Sequence, residues 1–271
     1  MTVYLPSLSQ YVRRETRANI TPSFAILSHL RKYIRRHFLL REAFSSVNYF
    51  AHGIAHLDRP YFLAGTAAPD WLSVADRSVR LRPRYVRPFA DGAGDPRAEF
   101  AAGVLQHMED DDRFHRLPAF YDVSGELLLL FRRLLHPHDG FRPGFLAHIV
   151  TELLMDAVLI DRRPELLRAY YTALDSVDPH LVQQCVNEMA KNQTQRLAGL
   201  LPLFTREAFL WDYLESERLL YRLNQVMRRV KLQPLPPETA AVLDEARIIV
   251  RDRIDDLILT PIPPRTKDAP R

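Results

Sequence analysis

Residues 95–115 read DPRAEFAAGVLQHMEDDDRFH, and this stretch sets the fold class. Pro96 suits the first turn of an α-helix, where an N–H would lack a partner anyway, and Asp95 just before it can cap that turn. Apolar residues then recur at steps of three and four, which predicts a helix from Asp95-Pro96 to about His115. Its buried stripe runs Phe100, Val104, His107, Asp111, His115. Side chains four apart stack on one helix face, drifting by about 40° per step. Two histidines and an aspartate therefore fall in line with core residues.

A second stretch has the same grammar: His148-x3-Glu152-x3-Asp156, inside a helix predicted over 142–161. Its stripe runs Phe145, His148/Ile149, Glu152/Leu153, Asp156, Leu159/Ile160. A carboxylate on a buried stripe is costly unless it is paired, protonated or bound to a metal. Two such helices facing each other would close a cage of imidazoles and carboxylates. A lone buried histidine is most often a hydrogen-bonded core residue, but recurrence in register on two helices favours the cage. Asp110 and Asp112 lie off the stripe and read as solvated.

Further candidates lie upstream. Asp70 follows the small-residue run Ala64-Gly65-Thr66-Ala67-Ala68-Pro69. Pro69 disfavours helical geometry at Ala68, so Asp70 is expected at a helix edge or turn, aimed at the site or capping Trp71-Leu72. His52 lies in the apolar stretch Asn48-Tyr49-Phe50-Ala51-His52, and His56 is a weaker candidate one turn on. The predicted metal ligands are His52, Asp70, His107, Asp111, His148 and Glu152. This mixed nitrogen and oxygen set suits one or two divalent ions, with Zn, Mn and Fe all compatible. Ions about 3.5–4 Å apart would suit phosphoester cleavage.

The rest of the chain reads as helix: 119–135 ended by His136-Pro137-His138-Asp139-Gly140, a shorter helix from Pro164, one from Asp178-Pro179 to about 191, then 194–203, 205–230 and 237–258. No alternating strand pattern stands out, nine glycines in 271 residues is few, and the expectation is one all-α bundle over 47–260. The tail 261–271, with its prolines, reads as disordered. No uninterrupted apolar run approaches the roughly 18 residues that cross a bilayer. Cys185, the single cysteine, reads as a buried structural thiol. With no evident secretory signal in residues 1–46, the expected location is cytoplasmic.

The net charge of +4 is unevenly spread. Residues 1–46 carry eight Lys/Arg against Glu15 and Glu42, leaving 29 basic and 31 acidic residues in the remaining 225. That basic extension reads as a surface-binding or disordered arm, a targeting peptide, or a non-native upstream extension. The nearly neutral body shows no basic stripe interleaved with aromatics, so no nucleic-acid partner is expected. Arg82, Arg84 and Arg87 read as a solvated loop, with capture of an anionic substrate as the alternative.

Phe62–Asp70, FLAGTAAPD, resembles the LxGxxxPD element of bacterial zinc-dependent phospholipases C, and Gly103-x3-His107-x3-Asp111-x3-His115 and His148-x3-Glu152 resemble that family's later motifs. Asn48–His52 is similar to the opening of acyl carrier protein phosphodiesterases, helical metal enzymes distantly like HD-domain phosphohydrolases. Those chains start at that motif, which would make Val47 the initiator here. The resemblance covers about residues 48–160. It implies an all-α phosphodiesterase with Asp70, His107, Asp111, His148 and Glu152 as ligands. The chain departs from the carrier-protein enzymes at His115, where they carry Asp, and at Ala157, where they carry His.

The sequence thus predicts a compact helical metal-dependent phosphohydrolase of the phospholipase C or HD-like type. Its substrate would be a phosphoester on a small molecule, a lipid or a phosphopantetheinyl carrier protein. His115 and Asp156 would carry protons or orient the ligands. The alternatives are a non-catalytic scaffold stabilised by metal and a partner-binding protein.

Overall fold

Among the described residues, seven helices begin on a proline at their first position: Pro60, Pro83, Pro96, Pro118, Pro143, Pro164 and Pro179. The ring fixes φ near the helical value and its missing N–H costs nothing there. These prolines punctuate a computed structural model that describes residues 48–92, 94–135 and 140–259. The expected extension over 1–46, Val47, the turn residues His136–Asp139 and the tail 261–271 lie outside the described residues.

The helices are α1 (Tyr49–Gly53), α2 (Pro60–Ala75), α3 (Pro83–Val86), α4 (Pro96–Phe114), α5 (Pro118–Leu134), α6 (Pro143–Arg162), α7 (Pro164–Asp175), α8 (Pro179–Met189), α9 (Leu197–Glu207), α10 (Ser216–Arg229), α11 (Thr239–Asp252) and α12 (Ile254–Leu257). Short 3-10 turns occupy Arg87–Phe89 and Phe209–Leu214. Among the described residues the only β interaction is an isolated bridge between Leu81 and Ala190. The fold is all-α.

The central helix is α6, in which every residue from Leu146 to Ile160 is buried. Helices α1, α5, α7 and α11 and the 3-10 turn at Phe209–Leu214 pack around it. By length and mean hydropathy, 1.6 over its best window, α6 would qualify to cross a membrane, but 83% of that window is buried inside the protein. Its apolar character is that of a core helix wrapped on all sides.

Helices α2 and α4 lie side by side and run in the same direction. Arg59 Nε bonds Glu99 Oε2 at 2.8 Å near their N-terminal ends. Gly65 then meets the backbone of Phe100 and Val104, and Gly103 meets that of Phe62 and Gly65. Two glycines at the crossing let the main chains touch, which no side chain would permit.

Two boundaries differ from expectation. Pro69 does not end a helix: α2 continues through it to Ala75. Proline costs a helix interior about 3 kcal/mol, and the burial of Phe62, Leu63, Trp71 and Leu72 offsets this. The helix expected over 205–230 is interrupted. Ala208 turns left-handed at φ 44, and the 3-10 turn that follows buries Leu210 and Tyr213. Leu210 N donates to Tyr171 Oη at 3.0 Å, and Phe209 joins Tyr49 and Phe204 in an aromatic cluster. Tertiary packing outweighed local helix propensity there.

Candidate metal centre

The parallel run of α2 and α4 brings their C-terminal halves to one place. Asp111 on α4 is close enough to Asp70 on α2 to oppose its ionisation. Helix α1 adds His52, and α6 adds His148 and Glu152.

His52, His107 and Asp111 form a first group whose potential ligand atoms lie within 4.8 Å of one another. Asp111 Oδ1 lies 3.3 Å from His52 Nε2, and Asp111 Oδ2 lies 3.5 Å from His107 Nε2. The two imidazoles sit with centroids 4.4 Å apart. His115, His148 and Glu152 form a second group within the same limit. Glu152 Oε1 is 2.8 Å from His148 Nε2 and 3.1 Å from His115 Nε2, and the two Nε2 atoms are 3.2 Å apart. Phe120 stands edge-on to both of these rings. Each group is a pair of histidines around one carboxylate, and each can hold a metal ion.

The protonation states of His107, Glu152 and Asp111 match that chemistry. Burial pushes His107 down to about 4, with Asp111 pulling the other way, so its ring is neutral near pH 7. Burial opposes the charge on Glu152, but His148 and His115 outweigh it and hold the carboxyl at about 2. Burial likewise opposes ionisation of Asp111, and His107 and His52 overcome it, keeping the group well below the usual carboxylate range. Neutral imidazoles and ionised carboxylates are the forms that ligate metals. His52 differs: burial disfavours its charge, yet the carboxylates of Asp110 and Asp111 raise it to about 10.

Asp70 belongs to neither group, yet it is 1% exposed and both of its oxygens are buried without a hydrogen-bond partner. Burial, reinforced by Asp111, drives it well above the ordinary carboxylate value. It sits inside α2 and caps nothing, contrary to the expected edge or turn. His52 Nε2 and Asp111 Oδ1 are buried too, and they face each other 3.3 Å apart as an ion pair. An unsatisfied buried polar atom costs about 1–3 kcal/mol, and a cation within reach of the two Asp70 oxygens would relieve that cost. On that test the residues fit a divalent ion.

The two residues expected to carry protons are placed differently from each other. His115 caps the end of α4 and stands within the second group. Asp156 stands in neither. Its oxygens accept from Phe50 N at 3.0 Å and Ala51 N at 2.8 Å, capping α1 from a residue 105 positions away. Asn48, at the cap position itself, makes no side-chain cap bond. Burial lifts Asp156 to about 7 against the pull of these two donors. His56 packs at a tilt against Phe62, outside both groups.

Helical periodicity missed one residue. Asp110, expected in solvent, is 6% exposed and lies 3.5 Å from His52 Nδ1. Periodicity on α4 alone could not find it, because the partner it turns to, His52, lies on α1. Asp112 is more exposed and pairs with Arg116 as a solvated residue would. The centre opens at Asp111 and His115, whose side chains are 28% and 25% exposed while the other ligand candidates are buried. Compared with protein-family models, curated proteins and solved structures, the chain matches none. The likeness to phospholipases C and carrier-protein phosphodiesterases therefore rests on the quoted residues alone.

Proposed function

We propose that this protein is a metal-dependent phosphohydrolase, a phosphodiesterase, with up to two ions held by His52, His107 and Asp111 and by His115, His148 and Glu152. The observation that carries the reading is the pair of His/His/carboxylate groups beside Asp70, whose buried oxygens lack partners. Zn, Mn and Fe each accept such a donor set. A divalent ion so bound supplies Lewis acidity and lowers the pKa of a water it holds.

The chain's own residues do the rest. Asp111 and Glu152 enter ionised and His107 neutral, so each offers a lone pair. A phosphoryl group would approach at the partly exposed Asp111 and His115, and the imidazole of His115, 3.1 Å from Glu152, would serve as a ligand rather than as the proton carrier. Asp156 holds α1, and with it His52, against α6. The substrate would be a phosphoester on a small molecule, a lipid or a phosphopantetheinyl carrier protein, and the setting cytoplasmic.

Metal analysis by mass spectrometry on the full chain, beside His107→Ala and His148→Ala, tests the centre. One or two equivalents of Zn, Mn or Fe in the wild type, with one group's share lost in each variant, supports it. Metal-dependent release of nitrophenol from bis(4-nitrophenyl) phosphate then separates an enzyme from a metal-stabilised scaffold. A metal-free protein after reconstitution would end the proposal.

A further inference from the structure

The acidic run on α4 contains a residue that the ligand set does not use. Asp110 is buried, its side chain 8% exposed, and a carboxylate in that position must have partners. It has two. Gln106 Nε2, one turn back on the same helix, donates to Asp110 Oδ1 at 2.8 Å. Asp110 Oδ2 stands 3.5 Å from His52 Nδ1. The other nitrogen of that ring, Nε2, stands 3.3 Å from Asp111 Oδ1 within the first group. Nδ1 and Nε2 lie on opposite sides of the imidazole. Asp110 is therefore screened from the ligand cluster by the ring it touches, while Asp111, the next residue, belongs to that cluster.

We infer that Asp110 is a positioning residue for His52: anchored by Gln106, it accepts from Nδ1–H and so turns the lone pair of Nε2 toward the ion of the first group. The inference rests on the metal-binding reading above. A histidine ligand whose far nitrogen is held by a carboxylate has a fixed tautomer and ring orientation and is a stronger base. The arrangement has a physical logic here. His52 sits on α1, a helix of only five residues, and its backbone alone gives the ring little orientation. The second group has no such need, because His148 and Glu152 project from the rigid core helix α6.

The test is cobalt(II) binding to the metal-stripped full chain, read by visible absorption and by competition with a chromophoric chelator. Asp110→Ala is expected to weaken the ion of the first group about 10- to 100-fold and to shift its absorption, as loss of such a carboxylate does at other histidine-ligated centres. The ion held by His115, His148 and Glu152 should keep its affinity. Asp110→Asn, whose amide oxygen still accepts from Nδ1–H, should recover most of the loss. In a His52→Ala background, Asp110→Ala should add no further loss. Should Asp110→Ala fail to fold, Asp110→Ser gives the same readout, since its hydroxyl is too short to reach Nδ1. Unchanged affinity and spectrum in the Ala or Ser variant would overturn the inference. So would an equal loss at both ions, or an undiminished effect without His52. A wild-type chain that takes up no cobalt would instead overturn the metal-binding reading, and this inference with it.

Discussion

Gly103→Ala tests the contact that assembles the centre. A β-carbon on Gly103 would lie 2.9 Å from the carbonyl carbon of Phe62, closer still to its oxygen, and 3.1 Å from Gly65 Cα. All three are backbone atoms of α2, so no rotamer change relieves them. Ordinary contact begins near 3.4 Å. Interiors are close-packed, so α2 and α4 would have to part by roughly 1 Å along the face where Phe62 and Gly65 meet Phe100 and Val104. Overpacking of this kind costs about 1–3 kcal/mol, and a clash of backbone with backbone puts it at the upper end or beyond. For a domain of this size about 3 kcal/mol lowers Tm by roughly 6–12 °C. Urea denaturation followed by circular dichroism gives the change directly as a lower midpoint at unchanged slope. Gly199→Ala is the control. Gly199 lies in α9 with nothing within 4 Å of its would-be β-carbon, so alanine there should stabilise by about 0.5–1 kcal/mol. A Gly103→Ala protein within about 0.5 kcal/mol of wild type, the ordinary range for innocuous surface changes, would refute the close parallel packing of α2 on α4.

Three further outcomes follow from the same structure. Asp156→Ala leaves the N–H groups of Phe50 and Ala51 without their acceptor, at about 1–3 kcal/mol for each buried donor, and should loosen metal at the His52 group more than at the His148 group; equal loss at both, by metal titration, would contradict the capping role. His52 is raised to about 10 from 6.5, so its contribution to metal-free stability is complete below pH 6.5 and fades as pH rises through 10. An ion at Nε2 must displace a proton that His52 holds at pH 7, so metal affinity should rise with pH, and calorimetry in buffers of different ionisation enthalpy should show proton release; a buffer-independent heat would refute this. Cys185, fully buried and pushed up to about 12 by burial, should react with a thiol reagent at pH 8 only after denaturation.

The sequence by itself determined the all-α class, because step-three and step-four periodicity and prolines in first turns are local signals. Asp95 and Asp178 cap α4 and α8 as their positions before Pro96 and Pro179 indicate. The spacing of His107 with Asp111, and of His148 with Glu152, was equally legible, since a helix fixes which residues share a face. Tertiary structure alone decided how those faces combine. Residue Asp111 joins His52 and His107, whereas His115, on the same predicted stripe, crosses to His148 and Glu152. Its position at the end of α4, where the chain leaves the helix, lets it turn to another neighbour. Asp70 is buried mid-helix through Pro69 because the packing of α2 on α4 offsets a local helix breaker. Asp110 turns to His52 on α1, which lies more than fifty residues earlier in the chain, and Asp156 is committed to the N-terminus of that same helix. Burial and hydrogen-bond partnership across such distances depend on which elements meet, and no local periodicity encodes that.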